Sequence, residues 1–397
     1  GATLSARRAF SNEAWRGVRA VVGSDVPRGA ALSSSHALCL ATMLAVLGSN
    51  GRRMDAEALI LAVRDAEWYA GARTGVSDQG AMVLGGRNEV VNAALLAEDL
   101  DTSGVRRLEL AEAVRVLVIN SYTHRNLSGA QLAAYTRNRF AYSMALQILR
   151  RELRTLGYEA ECIESMDRLS RVTPEALGST EALYNVLRRI PVELSPDAMR
   201  VRYALPDLDA QYERYFGGVP PEQRPATIAL RGPLCFGVAE SDRARRFLPA
   251  LEGGDFALAG RLMSIGHDGD RLFDAAGKAY CGDVGDTSLK RLGAADVAPA
   301  FCPGVYGASS RVLDLLVDTA MAAGALGASL TGGGIAGTVL ALCRSDDAAR
   351  VAEAVRARMA QDDYAALAKR MPLTGRELDE AVVVNHAPAA AGELAAG

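Results

Sequence analysis

Three short stretches of this chain combine residue types that could do chemistry on a small ligand. The first is Pro27-Arg28-Gly29-Ala30-Ala31-Leu32-Ser33-Ser34-Ser35, just ahead of an apolar helical run. Small residues let the backbone approach a ligand closely, and three consecutive hydroxyls stand at the helix start. Open amides and the positive end of the helix dipole favour phosphate there, and a serine hydroxyl could hold Mg²⁺. The plain alternative is a serine N-cap. No lysine follows the glycine, so this is not a Walker loop. The second stretch is Leu330-Thr331-Gly332-Gly333-Gly334-Ile335-Ala336-Gly337-Thr338. Adjacent glycines between two apolar strands are costly unless positive φ or close approach is required; a glycine-rich hairpin is the plain alternative. The third is Gly75-Val76-Ser77-Asp78-Gln79, where an acid in a glycine-flanked loop could serve as a general base. Most loop aspartates are solvated turn residues. Two glycine-rich turns at opposite ends of one chain argue together for a shared ligand.

The elements that must position these stretches follow from hydrophobic periodicity. Residues 18–26 are β-branched and weakly alternating, which predicts a strand ended by Pro27. A helix is expected from Ser35 to Leu47, and another from Met54 to Ala70 with Leu59, Ile60, Val63 and Ala66 on one stripe. Gly71 to Gly80 reads as a loop, with short strands or a strand–helix step at 81–84 and 89–95. Val114 to Asn120 is a buried strand and Gln131 to Leu156 a long helix. The seven prolines between Pro191 and Pro233 mark a connection or insertion between lobes. Helices are expected over Ser241–Ala250, Asp255–Ile265, Ser309–Ala323 and Ala348–Met359. Strands are expected over Gly327–Thr331, Thr338–Cys343 and Glu380–Asn385, and the alanine-rich tail 387–397 should fray. Strands interleaved with helices indicate an α+β or two-layer architecture.

Composition narrows the function classes. The chain has 397 residues, 49% of them apolar and 23% charged, ordinary values for a folded globular protein of two or three domains. No apolar run approaches the roughly 18 residues that a membrane helix needs, and the opening residues do not read as a secretory signal. The 44 basic and 47 acidic residues leave a net charge of −3, which does not indicate a nucleic-acid-binding face. Cys39, Cys162, Cys235, Cys281, Cys302 and Cys343 stand singly, without a C-x-x-C pair, and the four histidines are scattered. Free thiols in a reducing cytoplasm are expected rather than a structural zinc site.

The motifs carry a resemblance. PRGAALSSSHAL resembles the P-x-G-x-G-L-S-S-S-A phosphate loop of the GHMP kinases, GARTGVSDQ the G-I-M-D-Q segment of galactokinases, and GASLTGGGIAGTVLAL their triple-glycine motif. VLVINSYTHRNL with AAYTRNRFAYSMA, and ALEGGDFALAGRLMSIGHDGDRL, resemble two further stretches of that family. The matches run in order from about residue 18 to 385, with 158–235 unmatched.

The resemblance implies an α+β, two-domain GHMP-kinase-like fold: a ribosomal-S5-like N-terminal α/β domain over 1–157, an insertion or connection over 158–235, and a ferredoxin-like C-terminal α/β sandwich over 236–397. It implies an active site in the cleft between the domains. Gly29, Ala31, Leu32, Ser33, Ser34 and Ser35 would cradle ATP phosphates. Ser34 or Ser35, with Glu67, would hold Mg²⁺. Asp78 would be the base or orienting carboxylate, and Tyr135, Gly332, Gly333 and Gly334 would sit at the sugar. The sequence departs from the family where Ala31 and Ala336 replace glycines and His36 replaces an alanine; His36 reads as an ordinary helix residue. Only 26 residues precede Pro27, and nothing in them matches the family's G-R-x-N-x-x-G-x-H-x-D-Y segment. The native product is therefore expected to begin upstream of Gly1, with an arginine and a His-x-Asp pair there.

The implied function is ATP-dependent transfer of the γ-phosphate to the anomeric hydroxyl of galactose or a related sugar. Other acceptors of the same class are arabinose, a uronic acid or an N-acetylhexosamine. A different class is a sensor that binds sugar and ATP without turnover. The partners implied are a small sugar and ATP, with neither nucleic acid nor a membrane.

Overall fold

The computed structural model describes residues 1–10, 14–27, 30–69, 75–95, 100–123 and 129–385, the side chains of 129–135 and 385 excepted. The architecture is α+β and divides into two compact units, Gly1–Val116 with Val384–Gly397, and Leu117–Val383.

The first unit is built from helices α1 (Ala2–Ala9), α2 (Ser34–Ser49), α3 (Ala56–Trp68) and α4 (Ser77–Leu84), and strands β1 (Glu89–Asn92) and β2 (Arg106–Glu109). α1, α2 and α3 bury Ala6, Leu40, Met43, Leu47, Leu59 and Val63 against one another. The stripe expected on α3 is the buried one, and Asp55 caps that helix by accepting from the Ala58 N–H at 2.7 Å. β1 and β2 pair antiparallel, Glu89 opposite Glu109. Ile60, Val76 and Leu84 form a smaller core beneath them.

Two expectations fail in this unit. Residues 18–26 form no strand. Val21 and Val22 are largely exposed and no described strand pairs with them, and β-branched residues make a strand only when a neighbour supplies the other half of the ladder. Residues 81–84 are helical, and Asp78 stands in the first turn of α4 rather than in a loop. An acid there is favoured by the helix dipole.

In the second unit, strand β3 (Val114–Asn120), inside which the division falls, leads to helix α5 (Gly129–Thr155). Residues 158–235, expected as an insertion or connection, belong to the second unit. They fold into short helices whose caps are explicit: Thr173, Ser179 and Ser195 accept from the backbone N–H groups of Ala176, Ala182 and Ala198. Pro174 and Pro196 occupy the first helical position, where a missing N–H costs nothing. The prolines punctuate helix starts, which is why the segment looks irregular in sequence. Its Leu183, Tyr184, Leu187, Met199 and Phe216 share one core with Phe140, Met144, Ile148 and Leu149 of α5. The residue positions 157 and 235, expected as boundaries, thus lie within this unit, the latter inside helix α6 (Arg231–Glu252).

Helices α7 (Phe256–Asp270) and α8 (Arg311–Ala322) follow. Next come strands β4 (Gly327–Leu330) and β5 (Thr338–Arg344), helix α9 (Ala348–Met359) and strand β6 (Val382–Asn385). The sheet order is β4-β5-β3-β6, with β4 and β5 antiparallel in the register Gly327 to Leu342. α8 and α9 bury Val312, Leu316, Val351 and Val355 against Leu117, Ile119, Val339 and Ala341 of the sheet. α7 meets the start of β4 backbone to backbone at one point: a Cβ on Gly260 would overlap the Leu326 carbonyl, and one on Gly327 would overlap the Gly260 carbonyl. The alanine-rich tail lies outside the described residues. No helix among the described residues is long and apolar enough to cross a membrane.

Candidate active site

In the first unit the candidate groups gather at the start of α2. Ala31 (φ +55°) and N-cap Ser33 (φ +54°) both take the left-handed conformation, which is strained for residues with a Cβ. Ser33 makes no side-chain cap, and the first intrahelical bond runs from the Ala37 N–H to the Ser33 carbonyl at 3.0 Å. The amides of the first turn thus have no partner within the helix. Such an end favours an anion. Leu32, Ser33 and Ser34 are half-buried in this turn. Arg28 and Gly29 lie outside the described residues.

The Ser35 hydroxyl donates to Glu67 Oε2 at 2.9 Å, joining α2 to the last turn of α3. Glu67 is buried, and its Oε1 lies 3.1 Å from Cys39 Sγ, one helical turn after Ser35. Burial, and then the hydrogen bond and charge of Glu67, push the Cys39 thiol up to about 12. The thiol therefore stays protonated and donates to the carboxylate. A serine hydroxyl beside a carboxylate is a hard-oxygen set of the kind that holds Mg²⁺, which takes few protein ligands and fills the rest with phosphate oxygens and water. No group of three or more His, Cys, Asp or Glu among the described residues is arranged for a metal, so a closed cage of protein ligands is not what these residues offer. Asp78 is partly exposed, and its Oδ2 lies 3.9 Å from His36 Nε2.

In the second unit the triple-glycine turn joins β4 to β5. Gly332, Gly334 and Gly337 have φ of +70°, +69° and +108°, so the glycines are required by backbone conformation. A Cβ on Gly334 would overlap the Ala308 carbonyl, which also accepts from the Ile335 N–H at 2.6 Å. The far end is clamped by the turn after β3. The Ser121 N–H and hydroxyl both donate to the Gly337 carbonyl, and the Gly337 N–H donates to Thr123 Oγ1. Below the near end, the Leu330 N–H donates to His267 Nδ1 at 3.4 Å. His267 Nε2 lies 3.1 Å from Asp314 Oδ1, though poorly aligned for a hydrogen bond. Asp314 Oδ2 accepts from the Leu272 and Phe273 N–H groups. Ala308 is in turn held from behind by Asp270, whose carboxyl burial raises to about 8, with Glu240 adding to the shift. Tyr135 belongs to the first turns of α5, and its side chain lies outside the described residues.

Each unit therefore assembles its own group. Ser33, Ser34, Ser35, Glu67 and Asp78 gather in the first unit, and the glycine turn is clamped in the second. Sequence reasoning missed the Cys39–Glu67 contact, the proximity of His36 to Asp78 and the clamp by Ser121 and Thr123. The spacing of Ser35 and Cys39 by one turn was the signal available for the first.

Two family models match this chain: the GHMP kinases N terminal domain over residues 2–86 and the GHMP kinases C terminal domain over residues 283–361. The chain belongs to the GHMP kinases. This GHMP kinase is 26% identical over 340 residues to a galactokinase of Mycobacterium bovis (strain BCG / Pasteur 1173P2), covering 84% of this chain and 67% of that relative. It is 27% identical over 333 residues to a galactokinase of Chloroflexus aggregans, covering 83% and 62%. A crystal structure of Lactococcus lactis galactokinase complexed with galactose superposes with a TM-score of 0.57 at 17% identity, covering 99% of this chain and 75% of that one, a likeness of fold. The reaction class that goes with the family is phosphoryl transfer to an alcohol, and this GHMP kinase is a phosphotransferase of that class.

Proposed function

We propose that this GHMP kinase transfers the γ-phosphoryl group of ATP to the anomeric hydroxyl of galactose or a closely related sugar. The observation that carries the reading is the 2.9 Å hydrogen bond from Ser35 to Glu67, which sets a buried carboxylate beside an uncapped helix N-terminus. The names of the galactokinase relatives support the acceptor. The amides of Gly29, Ala31, Leu32, Ser33, Ser34 and Ser35 cradle the nucleotide phosphates. Ser34 or Ser35, with Glu67, holds Mg²⁺, which when bound neutralises phosphate charge. Tyr135 and the turn Gly332, Gly333 and Gly334 are the residues assigned to sugar binding. Asp78 takes the proton from the acceptor hydroxyl as the hydroxyl oxygen bonds to the γ-phosphorus, and ADP leaves. Positioning and charge neutralisation supply most of the catalysis in such transfers, and the residues here are suited to both.

Two measurements test the reading. ATP–Mg²⁺ at about 100 times its dissociation constant should stabilise the fold by roughly 2.7 kcal/mol. Gly29→Val should abolish that shift, and an unchanged shift would remove the phosphate loop from the reading. Sugar-dependent ADP release is expected with galactose or a neighbour among arabinose, uronic acids and N-acetylhexosamines. Asp78→Asn should lower kcat about 100-fold or more while leaving the nucleotide shift intact. Stabilisation by a sugar without ADP release would replace the kinase by a sensor.

A further inference from the structure

His36 follows Ser35 directly in α2 and is 5% exposed. Among the described residues neither ring nitrogen has a hydrogen-bond partner. A buried polar group left in that state costs about 1–3 kcal/mol. A histidine kept only for packing would be expected to lower that cost by pairing, as His267 Nδ1 does with the Leu330 N–H. His36 stands where the phosphate-loop motif that the sequence resembles has an alanine. Its Nε2 points to one group of known chemistry. Asp78 Oδ2 lies 3.9 Å away, on a side chain that is 42% exposed. The gap is about 1 Å beyond a hydrogen bond. A small rotation of the aspartate side chain closes it, and such bonds often tighten only when the substrate is bound.

We propose that His36 is a positioning residue for Asp78. Its Nε2–H donates to Oδ2, which holds the carboxylate in one rotamer and leaves Oδ1 to meet the acceptor hydroxyl. The inference rests on the reading of Asp78 as the base. Without the imidazole the carboxylate would swing between rotamers, and a reacting group out of place by about 1 Å can cost orders of magnitude in rate. The effect is expected in the chemical step, because the imidazole acts through Asp78.

The test uses the full chain, with His36→Ala and His36→Gln each made in the native and the Asp78→Asn backgrounds. His36→Ala should lower kcat about tenfold or more with KM for ATP and sugar within about twofold. His36→Gln, whose amide can donate from a similar place, should recover most of that loss. In the Asp78→Asn background His36→Ala should cost nothing further, because the group it positions is gone. Native kcat in His36→Ala would overturn the proposal. So would a glutamine variant no better than alanine, or an undiminished loss in the Asp78→Asn background. A spectroscopic arm stands apart from turnover. In ¹⁵N-histidine-labelled protein at alkaline pH, the His36 ring, assigned by its loss in His36→Gln, should be the Nε2–H tautomer with an Nε2 shift that moves in Asp78→Asn. An Nδ1–H tautomer, or a shift blind to Asp78, would overturn the proposal even if no sugar proved to be an acceptor. Failure to phosphorylate any sugar with this signature intact would instead count against the kinase reading alone.

Discussion

Replacing Gly334 with alanine should destabilise the second unit by about 2–4 kcal/mol. The new Cβ would compete with an existing hydrogen bond for one carbonyl. The Ala308 oxygen accepts from the Ile335 N–H at 2.6 Å, and a Cβ at 334 would overlap that same oxygen. Moving the carbonyl away leaves the N–H of half-buried Ile335 without its partner, at about 1–3 kcal/mol. The φ of +69° adds about 1–2 kcal/mol for a residue with a Cβ. Alanine's smaller unfolded-state entropy returns about 0.4–1 kcal/mol. For a unit of this size each kcal/mol lowers Tm by roughly 2–4 °C, so a fall of about 4–16 °C is expected in thermal unfolding followed by circular dichroism. Gly332→Ala is the internal control. Gly332 has the same backbone conformation, φ +70°, but is exposed, so only the backbone cost of about 1 kcal/mol should appear. Equal Tm shifts for the two variants would show that the Ala308 carbonyl does not discriminate them, and the reasoning would fail.

Ala31→Gly should stabilise the first unit by about 0.5–1 kcal/mol, because relief of its left-handed backbone outweighs the added unfolded-state entropy; a loss above about 1 kcal/mol in urea unfolding would contradict this. Asp270 holds its proton up to about pH 8 in the folded chain because burial, then Glu240, disfavours its charge. The folded state therefore binds that proton more tightly than the unfolded one, where the value is 3.8. Its contribution is complete below the unfolded value and is lost as pH rises to the folded one, at about 1.4 kcal/mol per pH unit. Asp270→Asn should flatten this fall in urea midpoints between about pH 5 and 8, and identical slopes would sink the assignment. Cys39, held as a thiol by burial and Glu67, should react with iodoacetamide at neutral pH at least about 100-fold more slowly than the exposed Cys281. Similar rates by mass spectrometry would refute its contact with Glu67.

Much of the framework was legible because it depends on local periodicity. The apolar stripe of α3, the buried strand β3 and the pair β4 and β5 around three glycines all fold as the pattern requires. The failures have a common cause, since each turns on something outside its own window. Residues 18–26 have strand composition but no described partner strand. The prolines of 191–233 looked like punctuation between lobes, yet Pro196 opens a helix whose Met199 belongs to the core around α5. At the candidate site, Ser35 and Glu67 were paired by motif, and the hydrogen bond joins them across two helices. His36 beside Asp78 could not be read in the same way. The motif offers no precedent for a histidine there, and the approach depends on how α4 packs on α2.

The bare contact of Gly260 with Gly327 carries a consequence for how this lineage can change. Every amino-acid replacement of a glycine brings in a residue with a Cβ, and at either position that atom would fall first on a backbone carbonyl. Neither glycine can drift alone, and no compensating substitution in a neighbouring side chain makes room. The seam between α7 and β4 is a locked position in sequence space. Divergence around this turn must come from its polar clamps, Ser121 and Thr123, or from the loop that β4 carries, while the helix and strand beneath stay in register.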